Sequence, residues 1–257
     1  MNEAELLFTN LLSCSRTQLY INRKESLGRD KSIFVSNVLK RRIKGEPIQY
    51  ILGKADFMGL EFYVNPDVLI PRPETELLVE KVMEFEATNI LEIGTGSGCI
   101  AIILAKLLKN TKVIATDISK KALLIAEKNA KMHKVDDRIE FMHSDLFKNS
   151  GLRASDFELI ISNPPYVPSA QIETLQREVQ FEPRLALDGG RDGLDYIKRI
   201  ISESPRFLKS GGLLMTEIGF RQAEKIKNIF GLRKDFNIME IIKDYNQIER
   251  VVVAKKR

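Results

Sequence analysis

The residues best suited to chemistry in this chain are Asn163-Pro164-Pro165-Tyr166, which follow the strand-like run Glu158-Leu159-Ile160-Ile161-Ser162. In open α/β sheets ligands gather beyond the carboxyl ends of the strands, and this segment sits where such an end is expected. A proline holds the preceding residue in extended backbone, which would fix Asn163. The prolines also lack N–H donors and leave carbonyl oxygens that accept. A planar NH2 group can therefore donate one proton to the Asn163 side-chain oxygen and the other to the Pro164 carbonyl. Pro165 and Tyr166 complete this acceptor pocket, with the Tyr166 ring as a flat wall. The four residues read as a receptor for an amide or an exocyclic amine, although Asn-Pro-Pro also occurs in ordinary turns.

A second cluster is Glu92-Ile93-Gly94-Thr95-Gly96-Ser97-Gly98, between a strand pattern and an apolar helix pattern. Glycines permit a tight turn and close approach of backbone to a ligand, and a helix start presents free N–H groups. A dinucleotide loop of the form Gly-x-Gly-x-x-Gly would need a small residue at position 99, where this chain has Cys99. Glu92 would repel a pyrophosphate and suits a ligand with an ammonium group. Asp117 ends the next strand, about twenty residues beyond the loop, where a carboxylate accepts from both ribose hydroxyls. Ser144-Asp145-Leu146-Phe147 follows a third strand, and Asp145 suits an adenine amino group with Leu146 against the ring. The plainer readings are a simple β–α turn, a helix cap at Asp117 and a turn aspartate at Asp145. Taken together, these residues describe a ligand with an amino acid moiety, a ribose and an adenine but no required phosphate. S-adenosylmethionine fits.

Alternating strand and helix patterns from about Glu74 onward position these clusters. Asn89–Ile93, Lys112–Thr116, Arg138–Met142, Glu158–Ser162 and Gly212–Ile218 are expected as strands; Gly98–Leu108 and Ser119–His133 as helices. Such alternation implies an α/β fold with a doubly wound, Rossmann-like parallel sheet, here in residues 74–257. Phe236–Ile241 and Glu249–Ala254 read as an antiparallel hairpin appended to it. Residues 1–50 read as a small helical domain. Ala4, Leu7, Phe8, Leu11 and Leu12 form one apolar face, Ser15 and Gln18 a capping box, and Phe34, Val35, Val38, Leu39 and Ile43 a second face. Residues 51–73 read as a β-hairpin linker, with Asp56-Phe57-Met58 and Glu61-Phe62-Tyr63-Val64 flanking Gly59.

Composition narrows the function classes. The chain has 257 residues, 44% of them apolar, and its longest apolar run, Cys99 to Ala105, is too short to span a bilayer. The acidic start Met1-Asn2-Glu3-Ala4-Glu5 does not resemble a signal peptide. Cys14 and Cys99 form no spaced framework, so a reduced, cytoplasmic setting is expected. His133 and His143 lack metal-ligand spacing, and no metal is expected. The net charge of +5 arises in the last segment, because residues 1–80 carry 11 basic and 11 acidic side chains while residues 221–257 carry 10 and 5. With no basic stripe, direct nucleic-acid binding is not expected.

Three further runs carry a family resemblance: Gln49-Tyr50-Ile51-Leu52-Gly53, Phe57-Met58-Gly59-Leu60-Glu61-Phe62-Tyr63-Val64, and Val68-Leu69-Ile70-Pro71-Arg72-Pro73-Glu74-Thr75-Glu76. With the glycine loop, Asn-Pro-Pro-Tyr and Glu182-Pro183-Arg184-Leu185-Ala186-Leu187, the chain resembles the HemK/PrmC family along nearly its whole length. The Ile-Pro-Arg-Pro-Glu-Thr-Glu run is the most specific of these motifs, since Asn-Pro-Pro-Tyr is shared with enzymes that methylate amino groups of DNA and RNA. The resemblance implies an enzyme that transfers a methyl group from S-adenosylmethionine to the side-chain N5 of glutamine. Its substrate would be the Gly-Gly-Gln loop of class 1 peptide chain release factors, with residues 1–50 selecting that partner protein. Leu146 departs from members of the family with an aromatic residue there. The alternatives are a methyltransferase acting on an exocyclic amine of nucleic acid, a nicotinamide-dependent oxidoreductase, disfavoured by Cys99 and Glu92, and a silent binding module.

Overall fold

The computed structural model describes residues 2–24 and 26–257; Met1 of the acidic start therefore lies outside the described residues. Its amino-terminal part contains α1 (Glu3–Leu12), α2 (Arg16–Ile21), α3 (Arg29–Ile43) and α4 (Ile48–Leu52). Capping boxes open the first two. Asn2 pairs with Glu5, and Ser15 with Gln18, each side chain accepting from the other residue's backbone N–H. The core here is smaller than the apolar periodicity suggests. Leu7, Val38, Ile48 and Ile51 form it, whereas Ala4, Phe34, Leu39 and Ile43 are exposed. Four short helices can bury only a narrow stripe of α3, so most of its apolar side chains face outward.

The hairpin is β1 (Lys54–Phe57) and β2 (Leu60–Tyr63), turning at Met58 and Gly59, both with positive φ. Phe57 and Phe62 are fully buried in the same core as the large sheet, so the hairpin is a packed part of the following domain as well as a connection. Tyr50 also crosses this boundary. It packs with Val68, Ile70, Ala122 and Ile125, and its hydroxyl donates to the Val68 carbonyl at 2.6 Å.

The rest of the chain contains α5 (Pro73–Val82), β3 (Asn89–Ile93), α6 (Cys99–Leu107), β4 (Lys112–Asp117), α7 (Lys120–His133), β5 (Ile139–His143) and β6 (Phe157–Ser162). Then follow α8 (Arg184–Leu187), α9 (Asp195–Glu203), β7 (Leu208–Glu217), α10 (Ala223–Gly231), β8 (Phe236–Lys243) and β9 (Glu249–Lys256). The strands form one sheet in the order β5-β4-β3-β6-β7-β9-β8. The five from β5 to β7 are parallel, and β9 is antiparallel to both its neighbours. Central strands buried on both faces explain the near-continuous apolar runs. Ile90, Leu91, Ile160 and Ile161 are at most 1% exposed. Helices α5 and α6 cover one face, while α9 and α10 cover the other.

The chain winds outward from β3 through β4 to β5, then returns to the other side of β3 with β6. The β3/β6 boundary is therefore a topological switch point, and a crevice opens beyond the carboxyl ends of these strands. The carboxy-terminal hairpin is appended to the edge of the parallel sheet as expected, but with its second strand inward: β9 pairs with β7, leaving β8 outermost. Helix α10 carries the chain past that gap before the hairpin fills it. Val251, Val252, Val253 and Ala254 are fully buried there, while Met239 on β8 is half exposed.

Candidate active site

The glycine loop is built onto β4 by backbone hydrogen bonds. The N–H groups of Gly94 and Thr95 both donate to the Thr116 carbonyl, at 2.8 and 2.9 Å. Gly94, Gly96 and Gly98 have φ of 76°, 55° and 82°, a region favouring glycine. Their surroundings differ. A Cβ at Gly94 or Gly96 would meet open space, whereas one at Gly98 would press to 3.0 Å on Ala126 of α7. The first two glycines keep backbone open to the crevice, and the third lets α6 and α7 pack. Asn129 of α7, fully buried, donates to the Ser97 carbonyl at 2.8 Å and to the Tyr63 carbonyl at 3.0 Å. It thereby ties the loop to the hairpin, a role that α-helical periodicity alone did not reveal.

Glu92, the last but one residue of β3, points into this turn region and is 1% exposed. Its Oε2 accepts from the Thr95 hydroxyl at 2.8 Å and from the Ala101 N–H at 3.1 Å. Its Oε1 is buried with no partner among the described residues. Burial pushes the Glu92 carboxyl up to about 7. An acceptor left unsatisfied in a buried place is costly unless a ligand donor completes it. Asp117, at the end of β4, accepts from the Gly96 N–H through Oδ2 at 2.9 Å and from the Ser119 N–H through Oδ1 at 2.8 Å. Burial raises its carboxyl above the ordinary range, against those hydrogen bonds. Ser119 also caps α7, accepting from the Ala122 N–H.

Beyond β5, Asp145 takes the Lys148 ammonium on Oδ2 at 2.6 Å and the Arg199 guanidinium on Oδ1 at 3.0 Å. These partners, Lys148 foremost, hold its carboxyl below the usual range. Leu146 is buried in the left-handed region with φ of 52°, its carbonyl accepting from the Ser144 hydroxyl at 2.7 Å. The lining of a single cavity includes Glu92, residues 94–97, Asp117, Asp145, Leu146 and Asn163-Pro164-Pro165. Gly98 lies behind it, against α7.

Tyr166 departs from the expected flat wall. It does not line this cavity; its hydroxyl donates to Glu217 Oε1 at 3.1 Å, and its ring packs with the core beside β7. The backbone there is clamped from outside, because the Tyr166 carbonyl accepts from Gln222 Nε2 at 2.9 Å. A Cβ on Gly193 would lie 2.3 Å from that same carbonyl oxygen. Asn163 is held from behind, its Nδ2 donating to Thr75 Oγ1 at 3.0 Å. Thr75 Oγ1 in turn donates to Glu217 Oε2 at 2.7 Å.

Thr75 and Glu217 are residues that motif reading did not single out for a role. A carboxylate inside the apolar run Leu213-Leu214-Met215-Thr216-Glu217-Ile218 was the available signal, since such a group needs buried partners. The outer wall joins the two remaining motifs. Glu182 Oε2 accepts from the Ile70 N–H at 3.1 Å, and its Oε1 takes the Arg72 guanidinium. Pro71, Arg72, Pro183, Leu185 and Ala186 consequently line the same cavity as Asn163. His133 and His143 are each engaged by a backbone carbonyl, of Glu61 and Ile118 respectively.

Known proteins resemble this chain in sequence and in fold. The methyltransferase small domain model matches residues 73–181, and the PrmC N-terminal domain model matches residues 1–53. The chain is 42% identical over 253 residues to a release factor glutamine methyltransferase of Geobacter sulfurreducens, covering 97% of this chain and 87% of that protein. A protein of the same name from Chlorobaculum tepidum is 40% identical over 259 residues, covering 96% of this chain and 87% of its own length. A solved methyltransferase structure from Pyrococcus furiosus superposes with a TM-score of 0.59 at 20% identity, covering 86% of this chain and 98% of that one, a likeness of fold alone. With 42% and 40% identity over nearly its whole length and the PrmC N-terminal domain and methyltransferase small domain models matched in turn, the chain belongs to the release factor glutamine methyltransferase family.

Proposed function

We propose that this chain transfers the methyl group of S-adenosylmethionine to the side-chain N5 of the glutamine in the Gly-Gly-Gln loop of class 1 peptide chain release factors. The observation that carries the reading is Asn163, fixed at the switch point in the same cavity as Glu92 and Asp117. Its Oδ1 accepts no hydrogen bond among the described residues, and neither does the Pro164 carbonyl. The relatives' name supports the choice of protein substrate. The exposed apolar side chains of α3 support residues 1–50 as the segment that recognises it.

The cofactor fits the residues present. Glu92 Oε1 lacks a donor that an ammonium group would supply. Gly94 and Gly96 leave backbone open, Asp117 keeps free lone pairs for ribose hydroxyls, and Asp145 with Leu146 bounds the adenine end. Bound S-adenosylmethionine supplies an electrophilic methyl carbon on a sulfonium. An amide nitrogen is a weak nucleophile because its lone pair is delocalised, so orientation is the protein's main contribution. Asn163 Oδ1 and the Pro164 carbonyl accept the two N–H groups of the glutamine and hold its nitrogen in line. The same oxygens stabilise positive charge growing on that nitrogen as its bond to the methyl carbon forms and the methyl–sulfur bond breaks, and one of its two N–H protons is then lost to water.

Labelled S-adenosylmethionine, incubated with the protein and an extract from cells lacking it, should place label in release factor. That label should survive nuclease and map to a glutamine side-chain nitrogen. Replacing that glutamine in purified release factor should remove it. Label in DNA or RNA instead would transfer the activity to an exocyclic amine of nucleic acid.

Cofactor affinity should also depend on pH through Glu92. Its folded carboxyl stands near 7, and a bound ammonium lowers it. Binding below that pH must then release a proton, so affinity rises from about pH 5 to about 7 and levels off above. In the unliganded protein the sign is opposite: the folded state holds the extra proton, so stability falls as pH rises through the same window. Calorimetric titration near pH 6, in buffers of different ionisation enthalpy, should show release of about one proton. No release would remove Glu92 from the ammonium site.

A further inference from the structure

We infer that Thr75 and Glu217 are positioning residues for methyl transfer, acting together to hold the Asn163 carboxamide with its oxygen toward the acceptor amide. The inference rests on the function proposed above. It concerns three residues brought together from the start of α5, the end of β6 and the end of β7.

Donor and acceptor counting gives the chain of hydrogen bonds a direction. Glu217 is fully buried, with the Thr75 hydroxyl on Oε2 at 2.7 Å and the Tyr166 hydroxyl on Oε1 at 3.1 Å. An ionised carboxylate only accepts, so both hydroxyls donate to it. A threonine hydroxyl has a single proton. Having given it to Glu217, Thr75 Oγ1 can only accept from Asn163, 3.0 Å away. Asn163 must then turn its NH2 group inward, and its oxygen faces the cavity. Reversed, the carboxamide would present N–H groups to an incoming NH2, and the acceptor could not be held. The alternative amide orientation, otherwise nearly isosteric, is thus excluded by a buried charge that never touches substrate.

Several groups bear on that charge. Burial raises the Glu217 carboxyl to about 7, against the hydrogen bonds from Thr75 and Tyr166 and the Arg250 charge from β9, while Glu74 of α5 adds a like charge. Arg250 is itself paired with Asp244 at 2.9 Å. Assays at pH 8 therefore report the ionised network.

Thr75→Val keeps the shape of the side chain and removes the hydroxyl, freeing the Asn163 amide to rotate. The expected result at pH 8 is a loss of about 10- to 100-fold in kcat on release factor, with the Kd for S-adenosylmethionine close to that of the parent and a melting temperature lowered by the lost donor to Glu217. Thr75→Ser, which restores the hydroxyl, should recover kcat to within a few-fold. A readout independent of turnover is the Asn163 side-chain NH2 signal of the parent protein in nitrogen-15 NMR. Its two protons should be well separated, one exchanging slowly with solvent and losing that protection in Thr75→Val. Equal kcat for the parent and Thr75→Val, failure of Thr75→Ser to rescue, or a freely exchanging Asn163 NH2 in the parent would overturn the inference. A parent protein that does not label release factor would instead sink the proposed function, and the NMR result would still decide the orientation of Asn163.

Discussion

Asn163→Ala should reduce methyl transfer by about 100- to 1,000-fold while leaving S-adenosylmethionine affinity within a few-fold of the parent. The magnitude follows from removal of one preorganised group aimed at developing charge, which typically has that effect on kcat. Asn163 donates only to Thr75, whose own proton goes to Glu217, so the substitution strands no buried donor and the fold should persist. The end of the cavity proposed for the cofactor, at Glu92 and Asp117, is built on β3 and β4 and does not lean on Asn163. Its contribution is expected when the acceptor nitrogen is aligned, so the loss should appear in kcat more than in cofactor Kd. Single-turnover rates with saturating cofactor are the direct measurement. Rates within a few-fold of the parent would show that Asn163 takes no part in the chemistry.

Asp117→Ala should weaken S-adenosylmethionine binding by about 10- to 100-fold, the equivalent of one charged hydrogen bond of roughly 1.5–3 kcal/mol. The structure adds a second reason for a large effect. Asp117 also accepts from the N–H groups of Gly96 and Ser119, so its carboxylate holds the glycine loop to the start of α7. Removing it leaves both donors unpartnered and loosens the loop as well as the ribose contact. Asp117→Asn separates the two roles: an amide retains an acceptor for one N–H but loses the charge. Calorimetric titration should therefore rank the parent first, the asparagine variant next and the alanine variant last. Unchanged affinity in Asp117→Ala would take this residue out of the site.

Much of the scaffold was legible because its signals are local. The glycine loop announces itself by three glycines that require positive φ between an apolar strand and an apolar helix. The capping boxes at Asn2/Glu5 and Ser15/Gln18 depend only on residues three apart. The central parallel strands β3 and β6 are near-continuous apolar runs, as strands buried on both faces must be. Less legible were α9 and α10, which the strand–helix rhythm after Ser162 did not mark out, and the placement of the last hairpin. A hairpin register is set by its own turn, but which of its strands faces the sheet is decided by the gap beside β7.

Local sequence also misjudged two roles. The apolar side chains of α3 follow helical spacing, yet spacing says which residues share a face and not whether anything covers that face. Phe34, Leu39 and Ile43 remain exposed because the four short helices have little else to offer them. The neighbourhood of Tyr166 in the chain suggests a pocket wall, but its hydroxyl follows the buried Glu217, which lies fifty-one residues later.

By itself, then, the sequence determined that a parallel α/β sheet presents a glycine loop, Asp117, Asp145 and Asn163 at one edge, since each is tied to the strand just before it. It also determined the family, through motifs that extend along nearly the whole chain. Only the tertiary structure decided how Asn163 is oriented and how the cavity is walled. Thr75, Asn163 and Glu217 come from three separate elements, as do Arg72 and Glu182, separated by 110 residues. Their partners are selected by sheet order and by the need to satisfy buried polar groups, and neither condition can be read from spacing along the chain.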